Sequence, residues 1–161
     1  MKLLQPDICQ NFYRYERVRR GGKYNMIMDA RLAMIEAELS AKEYADVISH
    51  YSEYIVIGLD AEQADRRQVL KVRDKFLNAS EQQFIAPDDL AAHIVAWTAK
   101  EAIIKAERNS AIDWTDGIVI KPFAANTDET VLRAHCGDRT YALVCRLIEG
   151  HYMTHAVACQ S

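Results

Sequence analysis

The chain has 161 residues, half of them apolar, so it is long enough for one domain and able to bury a core. Its 20 basic and 23 acidic residues give a net charge of −3, which provides no general attraction to nucleic acid or to an anionic membrane. No apolar run approaches a membrane span, and the first residues lack the apolar stretch of a signal peptide. The four cysteines have no C-x-x-C spacing, which favours free thiols in a cytoplasmic protein over disulfides or structural zinc.

The first third of the chain is predicted to be helical and locally basic. A basic cluster surrounds Gly21 and Gly22, and a helical pattern then runs over about residues 25–49 with an apolar stripe on one face. We interpret this stripe as packing in the core or at an interface. The basic cluster consists of Arg14, Arg17, Arg19, Arg20 and Lys23, and the stripe of Met28, Leu32, Ile35 and Leu39.

The middle of the chain combines one strand with further helices. The apolar, β-branched run Tyr54–Leu59 predicts a buried strand. Apolar residues at helical spacing predict a helix over about residues 64–77, and Asn78 has the sequence context of an N-cap. The acidic first turn after Pro87 opens the longest predicted helix, which extends to about Glu107.

The last third of the chain changes from helical to alternating periodicity. Gly150 lies in a short hairpin signal between two predicted strands, at a position that needs a positive φ. Helices followed by an antiparallel meander predict an α+β fold. The predicted strands are Ile118–Ile120, Val131–Arg133, Tyr141–Leu147 and Tyr152–Cys159.

Three acidic residues stand where burial would normally exclude a carboxylate. Asp60 and Glu62 are two residues apart at the end of the predicted strand, so both side chains point to one face; alone, the pair is equally compatible with a strand that emerges into water. On the long helix, Glu101 falls on one face with Leu90, Ile94, Trp97 and Ile104, which predicts that it faces the core.

A buried carboxylate must be protonated, paired or bound to a cation. A Glu101–Lys105 helix pair is one explanation. Three converging carboxylates suit a second explanation, a hard divalent cation such as Mg²⁺, with Lys100 and Lys105 beside it to neutralise a substrate phosphate. The expected chemistry is then transfer at a phosphate.

Two segments resemble the motifs of the 4'-phosphopantetheinyl transferases. Gly58–Glu62 (Gly-Leu-Asp-Ala-Glu) is similar to the family pattern G-[IV]-D-x-E, with Leu59 in place of Ile or Val. Trp97–Lys105 matches the family pattern [FW]-x-x-K-E-x-x-x-K. Lys75–Glu81 and Tyr152–Ala158 resemble further family segments, so the resemblance covers about Tyr54 to Cys159, roughly two thirds of the chain. It implies a transferase-like main domain over residues 54–161, with residues 1–53 as a basic helical extension.

The resemblance implies that coenzyme A is the substrate, that Mg²⁺ (or Mn²⁺) binds, and that the phosphopantetheine arm moves to a serine of an acyl- or peptidyl-carrier protein. Carried over by position, Asp60, Glu62 and Glu101 would hold the metal, and Glu101 would be the base for the serine hydroxyl. Lys105 would contact phosphate as part of the catalytic set, and Lys100 is a weaker candidate for the same contact.

Outside the two motifs, the resemblance extends to weaker candidates. His50, in a Ser-His pair, would meet the coenzyme phosphate, although it also fits a polar helix end. The basic cluster, with Arg19 and Arg20, would grip the 3'-phosphate or an acidic carrier, although it also fits a solvated surface. The family's Gly-x-Gly turn after the helix is replaced by Arg108–Ala111, so contacts from that loop cannot be carried over.

The resemblance also bears on assembly and leaves alternatives open. In the family the coenzyme lies between two copies of the core, so one copy predicts a homo-oligomer, either a dimer or a trimer, unless the N-terminal helices take the place of the second copy. The main alternative is a catalytically inactive module of the same fold that binds coenzyme A or a carrier protein. An unrelated helical interaction protein with coincidental motifs is a third hypothesis. We expect no nucleic-acid or membrane partner.

Overall fold

The computed structural model describes residues 6–51, 58–126 and 128–159, which fall into two compact units. The smaller unit lies within residues 6–51 and the larger one begins at residue 58. The predicted domain boundary between residues 53 and 54 lies outside the described residues and stays a prediction. Across the described parts of the chain, no helix has the length and apolar character that a membrane span requires.

Within residues 6–51 the structure describes three helices of the smaller unit, where a single long helix was predicted over residues 25–49. That prediction is wrong because the chain leaves the helix at Glu38, which has a left-handed backbone with φ of 55°. Ser40 then starts a new helix through a capping box with Glu43. The helices are α1 (Pro6–Gly21), α2 (Ala30–Ala37) and α3 (Ala41–Ser49).

The predicted apolar stripe of this unit faces solvent for most of its length. Met28, Leu32 and Ile35 are 85%, 54% and 69% exposed, and only Leu39 is buried. Helix α2 instead turns the small residues Ala33 and Ala37 inward, and small side chains allow close helix packing. A core role for the stripe is therefore wrong, and an interface role stays a prediction.

The segment before the long helix is more irregular than its apolar spacing predicts. Strand β1 is Leu59–Gln63, so Asp60 and Glu62 lie inside the strand, and the predicted residues 54–57 lie outside the described ones. The predicted helix over residues 64–77 is wrong, because Val72 leaves the helical backbone with φ of −113° after a single turn. The observed elements are α4 (Gln68–Lys71), a 3₁₀ turn (Arg73–Lys75) and α5 (Glu81–Phe84).

Helix α6 (Leu90–Glu107) is the longest helix, close to its predicted extent. Its N-cap is Asp89, whose carboxylate accepts from the Ala92 N–H at 2.9 Å. It ends at Arg108, which adopts the left-handed conformation usually taken by glycine, with φ of 53°. The middle of the helix is buried almost all round, which is expected for a helix that packs against a sheet and is covered by other elements.

The described residues form one sheet of five antiparallel strands in the order β1-β5-β4-β3-β2. A two-residue turn of Glu149 and Gly150, both with positive φ, joins the last two strands, which confirms the predicted hairpin. Helices on an antiparallel sheet confirm the α+β class. The remaining strands are β2 (Ile118–Ile120), β3 (Glu129–Cys136), β4 (Arg139–Ile148) and β5 (His151–Ala158).

The described cysteine side chains, Cys136, Cys145 and Cys159, are free thiols, as predicted. Cys145 is buried at the centre of the sheet, and burial raises the pKa of its thiol to about 11. The side chain of Cys9 lies outside the described part of the chain.

Gly58 allows β1 to approach α6 closely. A Cβ at Gly58 would lie 2.0 Å from the carbonyl oxygen of Ala102, and the residue also has a φ of 65°. The Gly58 carbonyl accepts from the Ala156 N–H at 2.9 Å, which ties the start of β1 to β5. Only glycine permits this contact between backbones, and the contact sets the position of Asp60 relative to the helix.

We expect Gly58→Ala to destabilise the fold by several kcal/mol, because a methyl group must displace the backbone of α6 in addition to the cost of the left-handed conformation. The matched control is Gly137→Ala, since Gly137 has a similar φ of 55° but no atom near the added methyl group. Urea unfolding of both variants measures the difference. Equal losses of stability would show that the contact with Ala102 is not tight.

His155 is an imidazole buried in the sheet. It lies on β5 between Leu59 of β1 and Val144 of β4 and is 1% exposed. Burial, and to a smaller extent the nearby Arg146, lowers the pKa of His155 to about 4, whereas Glu129 opposes this shift.

The depressed pKa of His155 predicts a pH-dependent stability. Between pH 6.5 and about 4, His155 is protonated in the unfolded chain but stays neutral in the folded chain. The stability that neutral His155 contributes is therefore complete above pH 6.5 and is lost as the pH falls toward 4. We expect His155→Gln to reduce this acid-induced loss by up to about 3 kcal/mol. Unfolding by urea at pH about 7 and about 4.5 measures it, with His151→Gln on the same strand as the control. An unchanged difference between the two pH values would contradict it.

Candidate functional site

The two sequence motifs meet where β1 packs against α6. Asp60 and Glu62 are two residues apart on β1, so their side chains lie on one face of the strand, as predicted. Asp60 is buried and Glu62 is half-buried. Lys105 of α6 reaches across and donates to the Asp60 carboxylate at 2.6 Å and to the Leu59 carbonyl at 3.0 Å. This ion pair joins the two motifs directly.

Glu101 lies one helical turn before Lys105, so both side chains leave α6 on the same side. The neighbouring Ala102 is the residue that Gly58 contacts, which puts this part of the helix against the start of β1. Glu101 is half-buried, whereas its predicted position faced the core. The core-facing position was wrong because the charged residue that α6 turns into the core is Lys100, which precedes Glu101.

Glu62 is paired with a residue that the sequence did not indicate. Arg66, four residues later, forms an ion pair with the Glu62 carboxylate. The Arg66 guanidinium also lies 5.5 Å from the centre of the Trp97 ring, within the range of a cation–π contact. Arg66 therefore connects the acidic face of β1 with the aromatic part of the second motif.

Lys100 is a structural residue in this geometry. Its ammonium group is fully buried and donates three hydrogen bonds of 2.7–2.8 Å, to the Glu81 carboxylate and to the carbonyls of Trp114 and Ile118. An ammonium group has three N–H donors, so none is left for a phosphate. Burial lowers the pKa of Lys100, and the Glu81 carboxylate opposes this shift.

Glu81 completes this buried network. From the residues alone, the sequence indicated only a helix start capped by Asn78 near this position, and not a buried ion pair with Lys100. The Asn78 carboxamide accepts from the Glu81 N–H, and the Glu81 carboxylate accepts from the Asn78 N–H, both at 2.9 Å. These are the reciprocal bonds of the predicted capping box, but α5 begins only at Glu81, with Ser80 at its N-cap. The same carboxylate accepts from the Ile120 N–H at 2.8 Å. The cap, the core lysine and strand β2 are therefore joined at one carboxylate.

An open pocket of about 240 Å³ adjoins the second motif. Its walls are mainly aromatic: the Trp97 and Trp114 rings lie 4.8 Å apart, and Phe76 meets Trp97 edge-on at 5.2 Å. Val72 and the exposed Lys75 complete the lining. The pocket offers an apolar surface with a cation at its edge, one helical turn from Glu101.

The weaker candidates belong to the smaller unit. Arg19 and Arg20 both contact the buried Glu16, with Nε–Oε distances of 2.5 and 3.4 Å, and Tyr51 donates to the same carboxylate at 2.9 Å. His50 is the C-cap of α3 and contacts Asp46, as a polar helix end would. These positions explain the residues structurally, and their contacts with a coenzyme stay predictions.

The donor set suits a hard cation, because carboxylate oxygens are the ligands that Mg²⁺ prefers. Within residues 6–51, 58–126 and 128–159, however, no group of three or more His, Cys, Asp and Glu side chains is arranged to hold a metal ion. Asp60 and Glu62 are instead paired with Lys105 and Arg66. A cation bound by these carboxylates must compete with two resident basic side chains.

Comparison with known proteins agrees with this reading of the larger unit. Residues 56–158, more than half of the chain, match the family model of the 4'-phosphopantetheinyl transferase superfamily. Searches of curated proteins and of solved structures gave no match. The matched region contains β1, α6 and the antiparallel sheet, and the α+β architecture is consistent with the transferase fold. The chain therefore belongs to the 4'-phosphopantetheinyl transferase superfamily.

Proposed function

We propose that this chain transfers the 4'-phosphopantetheine group of coenzyme A to a serine of an acyl- or peptidyl-carrier protein, as a holo-carrier-protein synthase. The observation that carries the proposal is the ion pair of Lys105 with Asp60, because it joins the two motifs within the region that matches the family. The cytoplasmic location and the homo-oligomer, a dimer or a trimer, remain part of this proposal.

The reaction assigns a separate task to each group. The serine oxygen attacks the phosphorus that carries the pantetheine arm, and the bond from this phosphorus to the bridging oxygen breaks. Adenosine 3',5'-bisphosphate leaves with the electron pair of that bond. Glu101 accepts the serine proton, a task that suits a half-buried carboxylate beside the strand.

Asp60, Glu62 and Glu101 would hold Mg²⁺ or Mn²⁺, and a divalent cation would neutralise negative charge on the pyrophosphate. Lys105 is 28% exposed, so it can hold Asp60 and still present charge toward a phosphate. The pocket beside Trp97 has an aromatic lining against which the methyl and methylene groups of the pantetheine arm would pack, and Lys75 stands at its edge.

We expect Glu101→Gln to lower transfer at least about a hundredfold, because the amide cannot accept the serine proton. The fold should persist, since the substitution keeps the size of a half-buried side chain. Mass spectrometry of an apo-carrier incubated with coenzyme A and Mg²⁺ measures the transfer.

The control for this variant is Glu107→Gln, the same substitution on the same helix at a carboxylate that pairs with Arg139. It should retain transfer. Near-normal turnover by Glu101→Gln would remove Glu101 from the mechanism. Binding of coenzyme A by the wild-type chain without any mass gain on the carrier would instead support the inactive module.

A double-mutant cycle separates two tasks of Lys105. If the lysine only holds Asp60, then Lys105→Met should cost no further affinity for coenzyme A once Asp60→Asn has removed the ion pair. We expect a further loss of about tenfold, because a phosphate contact would be lost as well. Calorimetric titration with coenzyme A measures each variant, and Lys71→Met, at an exposed lysine of the same unit, is the control. If Lys105→Met causes no further loss of coenzyme A affinity in the Asp60→Asn variant, the role of Lys105 is limited to holding Asp60.

A further inference from the structure

We propose that Lys100 is a positioning residue: through its buried ammonium group it holds Trp114 against Trp97 and thereby sets the wall of the aromatic pocket. This inference rests on the proposed function, because it concerns the pocket assigned to the pantetheine arm. It gives Lys100 a task different from the phosphate contact that the family resemblance implies.

The first support is the completeness of the Lys100 contacts. All three acceptors lie within 2.8 Å of Nζ, and the side chains of Lys100 and Glu81 are both fully buried. A buried charge of this kind is costly unless every donor is satisfied, so the ammonium group constrains each of its acceptors strongly. One of these acceptors is the backbone carbonyl of Trp114.

The second support is the location of Trp114. Its ring is the partner of Trp97 in the pocket wall, at 4.8 Å between centroids and an interplanar angle of 38°. Trp97 and Lys100 are three residues apart on α6, so they are neighbours on the helix surface. The same helix therefore supplies one tryptophan and holds the backbone of the other.

The third support is that the Trp114 loop is also held at other points. Asp113 accepts from the Thr115 and Asp116 N–H groups at 2.8 and 2.7 Å, and the Asn78 carboxamide donates to the Thr115 carbonyl at 3.2 Å. The loop therefore keeps local structure of its own. The contribution of Lys100 is to set the distance of this loop from α6.

Spectroscopy can report on the arrangement of the two tryptophan rings, because the chain contains two tryptophans and both line the pocket. Two indole rings in contact give a coupled circular dichroism signal that depends on their separation and angle. The signal reports on the pocket wall without requiring activity.

The test compares the wild-type chain with Lys100→Met and with the double variant Lys100→Met/Glu81→Gln. The double variant removes both buried charges, so it remains informative if the single variant leaves Glu81 unpaired and fails to fold. Tyr141→Phe is the control: it removes the hydrogen bond of a buried tyrosine to Glu107, at the far end of α6 from the pocket.

We expect the folded Lys100 variant to lose the coupled tryptophan signal and to raise the KM for coenzyme A about tenfold, with kcat changed much less. Tyr141→Phe should lower the Tm without either effect. An unchanged tryptophan signal, or an altered signal with an unchanged KM, would overturn the inference. So would a loss confined to kcat, because Lys100 would then act on the reacting groups.

The failure of the inference is distinct from the failure of the proposed function. If the wild-type chain neither binds coenzyme A nor modifies a carrier, the proposed function fails. The tryptophan signal of the same variants still decides whether Lys100 positions Trp114.

Discussion

The contact between the backbones of β1 and α6 is the constraint on which the site depends. Gly58 has no side chain, and the carbonyl of Ala102 occupies the space that a Cβ would need. This approach brings Asp60 within reach of Lys105. A site built from a strand and a helix is more rigid than one built from loops, so its groups are held in place before a substrate arrives.

Helix α6 carries two lysines that form ion pairs in very different surroundings. Lys100 and Glu81 are fully buried, so forming their ion pair costs desolvation free energy. Removing only one partner costs more stability still, because the other charge is left buried and unpaired. Lys105 is partly exposed beside the buried Asp60, so water screens its charge on one side. The first pair therefore suits a fixed structural task, whereas the second suits a task in which the lysine can also meet a substrate.

How much of this structure could be predicted depends on the range of the signals involved. Helix α6 and the Gly150 hairpin were predicted well, because the cap and the turn residues act locally. The acidic residues of the two motifs were proposed as a site from spacing that resembles a family pattern, and the region that matches the family contains them. Local spacing could not show that Lys100 rather than Glu101 faces the core, since Glu81 contacts Lys100 from 19 residues away.

The apolar stripe of the smaller unit illustrates a different limit. Periodicity predicts that Met28, Leu32 and Ile35 share a helix face, but it does not predict what covers that face, and in the structure Met28 lies before α2 begins at Ala30. In the structure the face is exposed, and Ala33 and Ala37 are buried instead. Small residues carry a weak hydrophobic signal, so a pattern based on large apolar residues identifies the wrong face when a helix packs through alanine.

The charge balance of the site explains why a divalent cation fits the proposed reaction. Two of the three motif carboxylates already carry basic partners, Asp60 with Lys105 and Glu62 with Arg66. A pyrophosphate placed beside them would add negative charge, and like charges at close range repel one another. A cation held by the proposed ligands would offset this repulsion. It would do so in competition with the two resident ion pairs, which would have to rearrange before their carboxylate oxygens could bind a metal.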